Sequence, residues 1–285
     1  VRRVIRHVDA FTATPLEGNP AAVVDGEGID DATMQRIALN QNLSETVFLL
    51  RPQSPDNHAR LRIFTPSEEL PFAGHPTLAA AHILASEGIA RADELRLETG
   101  AGMIPVAVEA KAQKYTMTQA APRFRDSDHA ADEIASWIGL LPGDVARVEY
   151  VSTGLWWLIG QVASLETMLR VKPTFPADHE LAISIFCVGA EAPEASVRVR
   201  TFFRSGVMRE DPITGSSNGC IAAFIAKHGL LPARNGAIEY VAEQGVEMGQ
   251  PGRIFLGVSG VPDAMSVQVG GHAVTVLRGE LILPD

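Results

Sequence analysis

The chain has 285 residues, 46% hydrophobic and 20% charged, a composition that describes a well-packed globular protein with room for two ordinary domains. Its formal net charge of −10 argues against a nucleic-acid partner, because phosphate binding needs a basic face. Cys187 and Cys220 are the only cysteines and make no disulfide framework or metal-ligand spacing, and no apolar run reaches the roughly 20 residues of a membrane span.

Arg2 and Arg3 stand near the start, with no signal-peptide hydrophobic region behind them, so the expected compartment is the cytoplasm. Short strands are predicted at 21–24 and 46–50. Glu45 stands immediately before the second. A lone glutamate there is ordinarily a solvated strand end, yet the apolar run behind it could bury it in part and favour its protonated form. His58 falls in a polar stretch and is expected to be solvated. A strand at 61–64 then leads into Gly74-His75-Pro76-Thr77. Past Thr77 the run to Ala85 carries His82 as its one polar side chain, so it predicts a helix apolar on every face and therefore buried. Gly88 sits where a left-handed helix stop belongs. Strands at 95–100 and 104–109 follow, and a junction is expected near Gln119-Ala120-Ala121-Pro122.

Beyond the junction, His129 and His179 read as solvated. In the strand 155–161, alternation sends one of Trp156 and Trp157 into the core and leaves the other for an interface or pocket wall. After a strand at 199–202, Asp211 before Pro212 reads locally as a turn starter. Ser217 and Asn218 read as helix caps. A second buried helix is predicted through 220–226, stopped at Gly229, with strands at 238–241, 253–258 and 273–277 to finish.

The two halves resemble each other. Gly74 to Gly88 lies over Gly215 to Gly229 without a gap, and Gly74, Ala81, Ala85 and Gly88 meet Gly215, Ala222, Ala226 and Gly229. The flanks agree as well: strand, glycine turn, helix, glycine stop, strand in both. The expected fold class is therefore α+β, two similar domains, each a β-barrel wrapped around a buried central helix. The expected bounds are 1–119 and 120–272, with 273–285 available to complete the first. Each helix start carries unpaired N–H groups and partial positive charge suited to a carboxylate. If the halves pack face to face, both starts open on one cleft. His75, a poor cap between Gly and Pro, is expected to have a functional role there.

Several segments together resemble the PhzF family, named for phenazine biosynthesis. They are Asn42-Leu43-Ser44-Glu45, Glu69-Leu70-Pro71-Phe72-Ala73-Gly74-His75-Pro76-Thr77 and Glu210-Asp211-Pro212-Ile213-Thr214-Gly215-Ser216, supported by Asp9-Ala10-Phe11, Gly18-Asn19-Pro20, Phe64-Thr65-Pro66 and Glu243-Gln244-Gly245. The resemblance covers nearly the whole chain. It implies a diaminopimelate epimerase-like fold, a homodimer, and isomerisation of a small carboxylate, such as trans-2,3-dihydro-3-hydroxyanthranilate, without metal or organic cofactor. It also implies roles for individual residues: Glu45 as proton carrier, His75 and Asp211 as further catalytic residues, and Gly74, Thr77, Gly215 and Ser216 as substrate-binding positions.

Two rivals remain open. A two-thiol epimerase of the same fold would need cysteines where this chain has Ala73 and Thr214. A binding protein that kept the fold and lost catalysis would have no use for Glu45, His75 and Asp211 together. Serine hydrolysis lacks its Gly-x-Ser-x-Gly elbow, and Gly100-Ala101-Gly102 is too short for a dinucleotide loop.

Overall fold

The computed structural model of the protein describes residues 1–175, 181–205, 207–260 and 264–283. No helix among them is long and apolar enough to cross a membrane. The chain divides into two compact units: Val1–Met117 with the segment from Gly270 onward, and Thr118–Val269.

The first unit contains β1 (Arg2–Ala10), β2 (Asn19–Asp25), α1 (Asp31–Gln41), β3 (Glu45–Leu50), β4 (Ala59–Phe64), β5 (Glu69–Leu70), α2 (Gly74–Ser86), β6 (Glu94–Thr99), β7 (Gly102–Glu109) and β8 (Lys114–Thr118). The second contains β9 (Arg123–Asp126), α3 (Ala131–Trp137), β10 (Val145–Ser152), β11 (Trp156–Val162), α4 (Leu165–Met168), β12 (Leu181–Val188), β13 (Val197–Ser205), β14 (Val207–Asp211), α5 (Gly215–His228), β15 (Ala237–Gln244) and β16 (Gly252–Ser259). The last strand, β17 (Ser266–Ile282), begins in the second unit and runs on into the first.

In the first unit β1 pairs with β2, β2 runs parallel to β3, β3 pairs with β4, and β4 runs parallel to β6. The circuit continues through β7 and β8, and β17 pairs with both β8 and β1, so eight strands close into a barrel. Closure leaves no open strand edge in the ring. Inside lies α2, with every residue from His75 to Leu84 buried. Burying side chains such as Leu78, Ile83 and Leu84 stabilises the unit by about 1.5–3 kcal/mol each. Gly88 takes the left-handed conformation (φ +69°) expected just past the helix, and Ala90 N–H closes the stop on Leu84 C=O at 3.0 Å.

His82 is the exception on that helix, and the barrel wall satisfies it. Its Nδ1 stands 3.2 Å from the Tyr115 hydroxyl and its Nε2 3.0 Å from the Thr275 hydroxyl of β17. Burial pushes its pKa down from 6.5 to about 4. As pH falls below 6.5 the unfolded chain's imidazole takes a proton that the folded ring refuses until about pH 4. Stability is thus present above 6.5 and falls through that window, by up to about 3 kcal/mol from this ring alone. Urea midpoints measured from pH 7 to pH 4 should show the fall, and His82→Gln, polar but not titratable, should flatten it. An equal slope in wild type and variant would remove His82 from the account.

The second unit repeats the scheme. β9, β10 and β11 pair in order, β11 runs parallel to β12, β12 pairs with β13, and β13 runs parallel to β15, which pairs with β16. The parallel steps fall where those of the first unit fall. β14 is a short hairpin partner of β13 as β5 is of β4, and each precedes the buried helix. α5 ends in the left-handed Gly229 (φ +61°). The duplicated pattern in the residues is thus a duplicated strand order.

Three helices had no counterpart among the expected elements: α1, α3 and α4. The signal for α1 was present. Asp30 caps it by accepting from Thr33 N–H at 2.9 Å, and Met34, Ile37 and Ala38 form the buried stripe at spacings of three and four. The capping roles expected of Ser217 and Asn218 do not occur. α5 has Thr214 as N-cap with no side-chain cap bond, and both residues are fully buried in polar contacts of their own.

Candidate active site

In the first unit, the chemistry lies where β3 begins and α2 begins. The parallel register places Glu45 opposite Ala21, beside the start of β2. Ala73 holds an extended backbone (φ −147°, ψ 141°) as N-cap, so α2 starts at Gly74 and His75 falls in its first turn. Pro76 fits there because its missing N–H is one the helix could not use. Thr77 is fully buried and donates its hydroxyl to Ala73 C=O at 2.7 Å, which holds that turn.

His75 Nε2 stands 3.0 Å from Glu45 Oε2, with the two side chains only 8% and 16% exposed. Burial pushes the His75 pKa down to about 3, so the ring is neutral at ordinary pH. A hydrogen bond to the Pro20 backbone opposes that shift. Proline has no N–H, so the Pro20 backbone can only accept, and the ring must donate to it. With Nε2 turned to Glu45, the donor is Nδ1, and Nε2 presents a lone pair. A bare lone pair facing a bare carboxylate oxygen at this distance repels. With the ring neutral, the pair is coherent with a shared proton that rests on Glu45 as a carboxylic acid and donates to Nε2.

In the second unit, polar side chains brace the start of α5. Asp211, the last residue of β14, accepts from the Thr214 hydroxyl. Gln244 spans the same turn: its Nε2 donates to Asp211 C=O at 3.0 Å, and its Oε1 accepts from Thr214 N–H at 3.2 Å and Asn218 Nδ2 at 2.8 Å. Gln119 donates to Gly215 C=O at 3.1 Å and accepts from the Thr153 hydroxyl at 2.6 Å. Trp157 Nε1 donates to Ser216 Oγ at 3.2 Å. Ser217 joins Ser184 and Thr201 in a buried hydroxyl cluster.

Glu45 and His75 are thus brought together within the first unit, and Asp211, Gly215 and Ser216 lie within five positions along one turn and helix start of the second. The sequence assigns no site role to Gln244 or Gln119 and gives Trp157 only a place in the core or at a pocket wall. Gln244 lies in the Glu243-Gln244-Gly245 motif and Gln119 at the expected junction, and nothing in local spacing connects either with residues 211–215. Trp157 is the inward ring of the tryptophan pair, 8% exposed, and Trp156 the outward one, 40% exposed, against Arg123 and Arg125.

The three histidines expected to be solvated fare differently. His58 is half-buried and accepts from Arg96 N–H at 3.0 Å, while His129 packs on the Trp137 ring at 4.8 Å and lies 3.4 Å from Glu133. His179 lies outside the described residues. Both cysteines are buried, and burial pushes each thiol up to about 11, the reverse of what a catalytic thiolate needs. Among the described residues no group of three or more His, Cys, Asp or Glu is placed to hold a metal ion.

A family profile described as phenazine biosynthesis-like protein (PhzC-PhzF) matches residues 8–279. A trans-2,3-dihydro-3-hydroxyanthranilate isomerase from Pseudomonas aeruginosa is 35% identical to the chain, covering 97% of it and 98% of the relative. An uncharacterised isomerase from Mesorhizobium japonicum is 36% identical, covering 96% and 97%. Among solved structures, a PhzF-family phenazine biosynthesis protein from Bacillus anthracis superposes with a TM-score of 0.88 at 29% identity, covering 99% of this chain and all of that one. A hydroxyproline epimerase from Agrobacterium vitis shares the fold, with a TM-score of 0.66 at 16% identity over 100% and 93% of the two chains.

Proposed function

The chain belongs to the phenazine biosynthesis-like (PhzC-PhzF) family and is an isomerase, and on that premise we propose that it moves a proton between two carbons of a small carboxylate with Glu45 as the carrier. The substrate proposed is trans-2,3-dihydro-3-hydroxyanthranilate, named for the Pseudomonas relative, or a compound of the same class. The observation that supports this most is the contact of Glu45 Oε2 with His75 Nε2 at 3.0 Å, between side chains only 16% and 8% exposed.

A carboxyl group that rests protonated must give up that proton before it can act as a base, and an adjacent imidazole lone pair is able to hold it. Shifting the shared proton from Glu45 to His75 Nε2 leaves a carboxylate beside an imidazolium. The carboxylate then takes the proton from the first carbon, whose electron pair moves into the conjugated system of the substrate. Glu45 returns that proton to the second carbon, and the shared proton moves back from His75. Charge and protons balance over the cycle. His75 so acts as a positioning and proton-holding residue. Asp211, Gly215 and Ser216 are proposed as substrate-binding groups, with helix N–H groups to favour a carboxylate.

Two-thiol epimerisation has no support at the helix starts, since the N-cap positions are Ala73 and Thr214. The decisive experiment is turnover of trans-2,3-dihydro-3-hydroxyanthranilate in deuterium oxide. Isomerised product with solvent deuterium at the newly protonated carbon, in whole or in part, is expected. A ligand that binds with neither turnover nor wash-in would instead support a binding protein.

A further inference from the structure

We infer that Trp157 is a specificity-determining residue: its indole N–H pins the Ser216 hydroxyl and so turns that hydroxyl's hydrogen toward an acceptor, selecting a carboxylate at the start of α5. The inference rests on the proposed role of Ser216 as a substrate contact.

Strand alternation places the ring. Trp157 pairs with Val151 and Trp156 with Ser152 at the turn end of the β10–β11 hairpin, and of the two Trp157 takes the inward face. The hairpin cannot drift from α5, because independent contacts hold it. Thr153 donates to Gln119, which donates in turn to Gly215 C=O, and Cys220 Sγ donates to Val151 C=O at 3.4 Å. The indole is thereby a fixed donor, 3.2 Å from Ser216 Oγ.

A serine hydroxyl has one hydrogen and two lone pairs. With one lone pair held by the indole N–H, the hydroxyl has one acceptor site fewer and its hydrogen directed away from the ring, which biases it towards donating to an incoming group. A carboxylate oxygen accepts that hydrogen; an ammonium cannot. Selectivity thus arises from a residue that touches the contacting group rather than the reacting carbons, and its loss should weaken binding without slowing chemistry.

The test uses turnover of trans-2,3-dihydro-3-hydroxyanthranilate by the full chain. Trp157→Phe should raise KM about five- to tenfold, as for loss of one hydrogen bond, with kcat within about twofold. Incorporating the benzothiophene analogue of tryptophan at position 157 keeps the ring shape and deletes only the N–H, and it should give the same split if Phe disturbs packing. Ser216→Ala should raise KM at least as much, and the double variant should be no worse than Ser216→Ala alone. An impaired Ser216→Ala with an unaffected benzothiophene variant overturns the inference alone, as do effects that multiply in the double variant. A wild type inert toward this substrate, or Ser216→Ala with unchanged KM, overturns the proposed site and the inference with it.

Discussion

Glu45→Gln should lower kcat by about a thousandfold or more, since positioned acid/base groups typically contribute two to four orders of magnitude. The change removes the ability to carry a proton and little else. Glutamine is nearly isosteric, and its amide N–H can donate to the His75 Nε2 lone pair as the carboxylic acid would, so the contact at 3.0 Å survives. Melting temperature should therefore stay within a few degrees of wild type, and ligand affinity should hold. Deuterium wash-in during turnover should vanish in parallel with kcat. A variant that retained activity within tenfold of wild type on the same substrate would dismiss Glu45 as the carrier.

Gly245→Ala should destabilise the second unit by about 3 kcal/mol or more, seen as a fall of roughly 10 °C in its melting transition. Gly245 has φ +84°, and a Cβ there would lie 2.3 Å from Gln250 C=O and 2.8 Å from Pro212 C=O, both backbone atoms with little room to yield. Pro212 follows Asp211 directly, and Gln244 precedes the glycine, so the strain lands on the turn that orients Asp211 and Thr214. Gly249 supplies the control. It is also left-handed at φ +70° but has open space around its Cβ direction, so Gly249→Ala should cost only the conformational part, about 1 kcal/mol. Equal melting temperatures for the two variants would show that the backbone clash at Gly245 is relieved.

Legibility in the sequence followed the range of the interactions involved. The two buried helices are readable because their apolar runs, from Leu78 to Ala85 and from Cys220 to Ala226, are local properties of consecutive residues, and their glycine stops are equally local. Glu45 and Asp211 come into view through motifs resembling those of a known family, whereas His75 also stands out locally as a poor cap between Gly and Pro. The bracing around α5 was hidden for the opposite reason: Gln244 reaches Thr214 across 30 positions and Gln119 reaches Gly215 across 96. Ser217 and Asn218 looked like caps because cap preference is local, but their hydroxyl and amide are claimed by Ser184, Thr201 and Gln244 from distant strands. α1 was missed because its buried stripe is narrow, with most of its other side chains polar and facing water.

The path of β17 bears on how the molecule is made. Arg2 to Ala10 find one set of ladder partners only at 273–282, and β8 waits for the same strand. On the ribosome, the leading barrel must stand with two raw edges while all of Thr118–Val269 is translated, on the order of ten seconds or longer. The nascent chain thus carries a built-in window of vulnerability to intermolecular strand pairing, which ends when its trailing residues arrive to seal the seam.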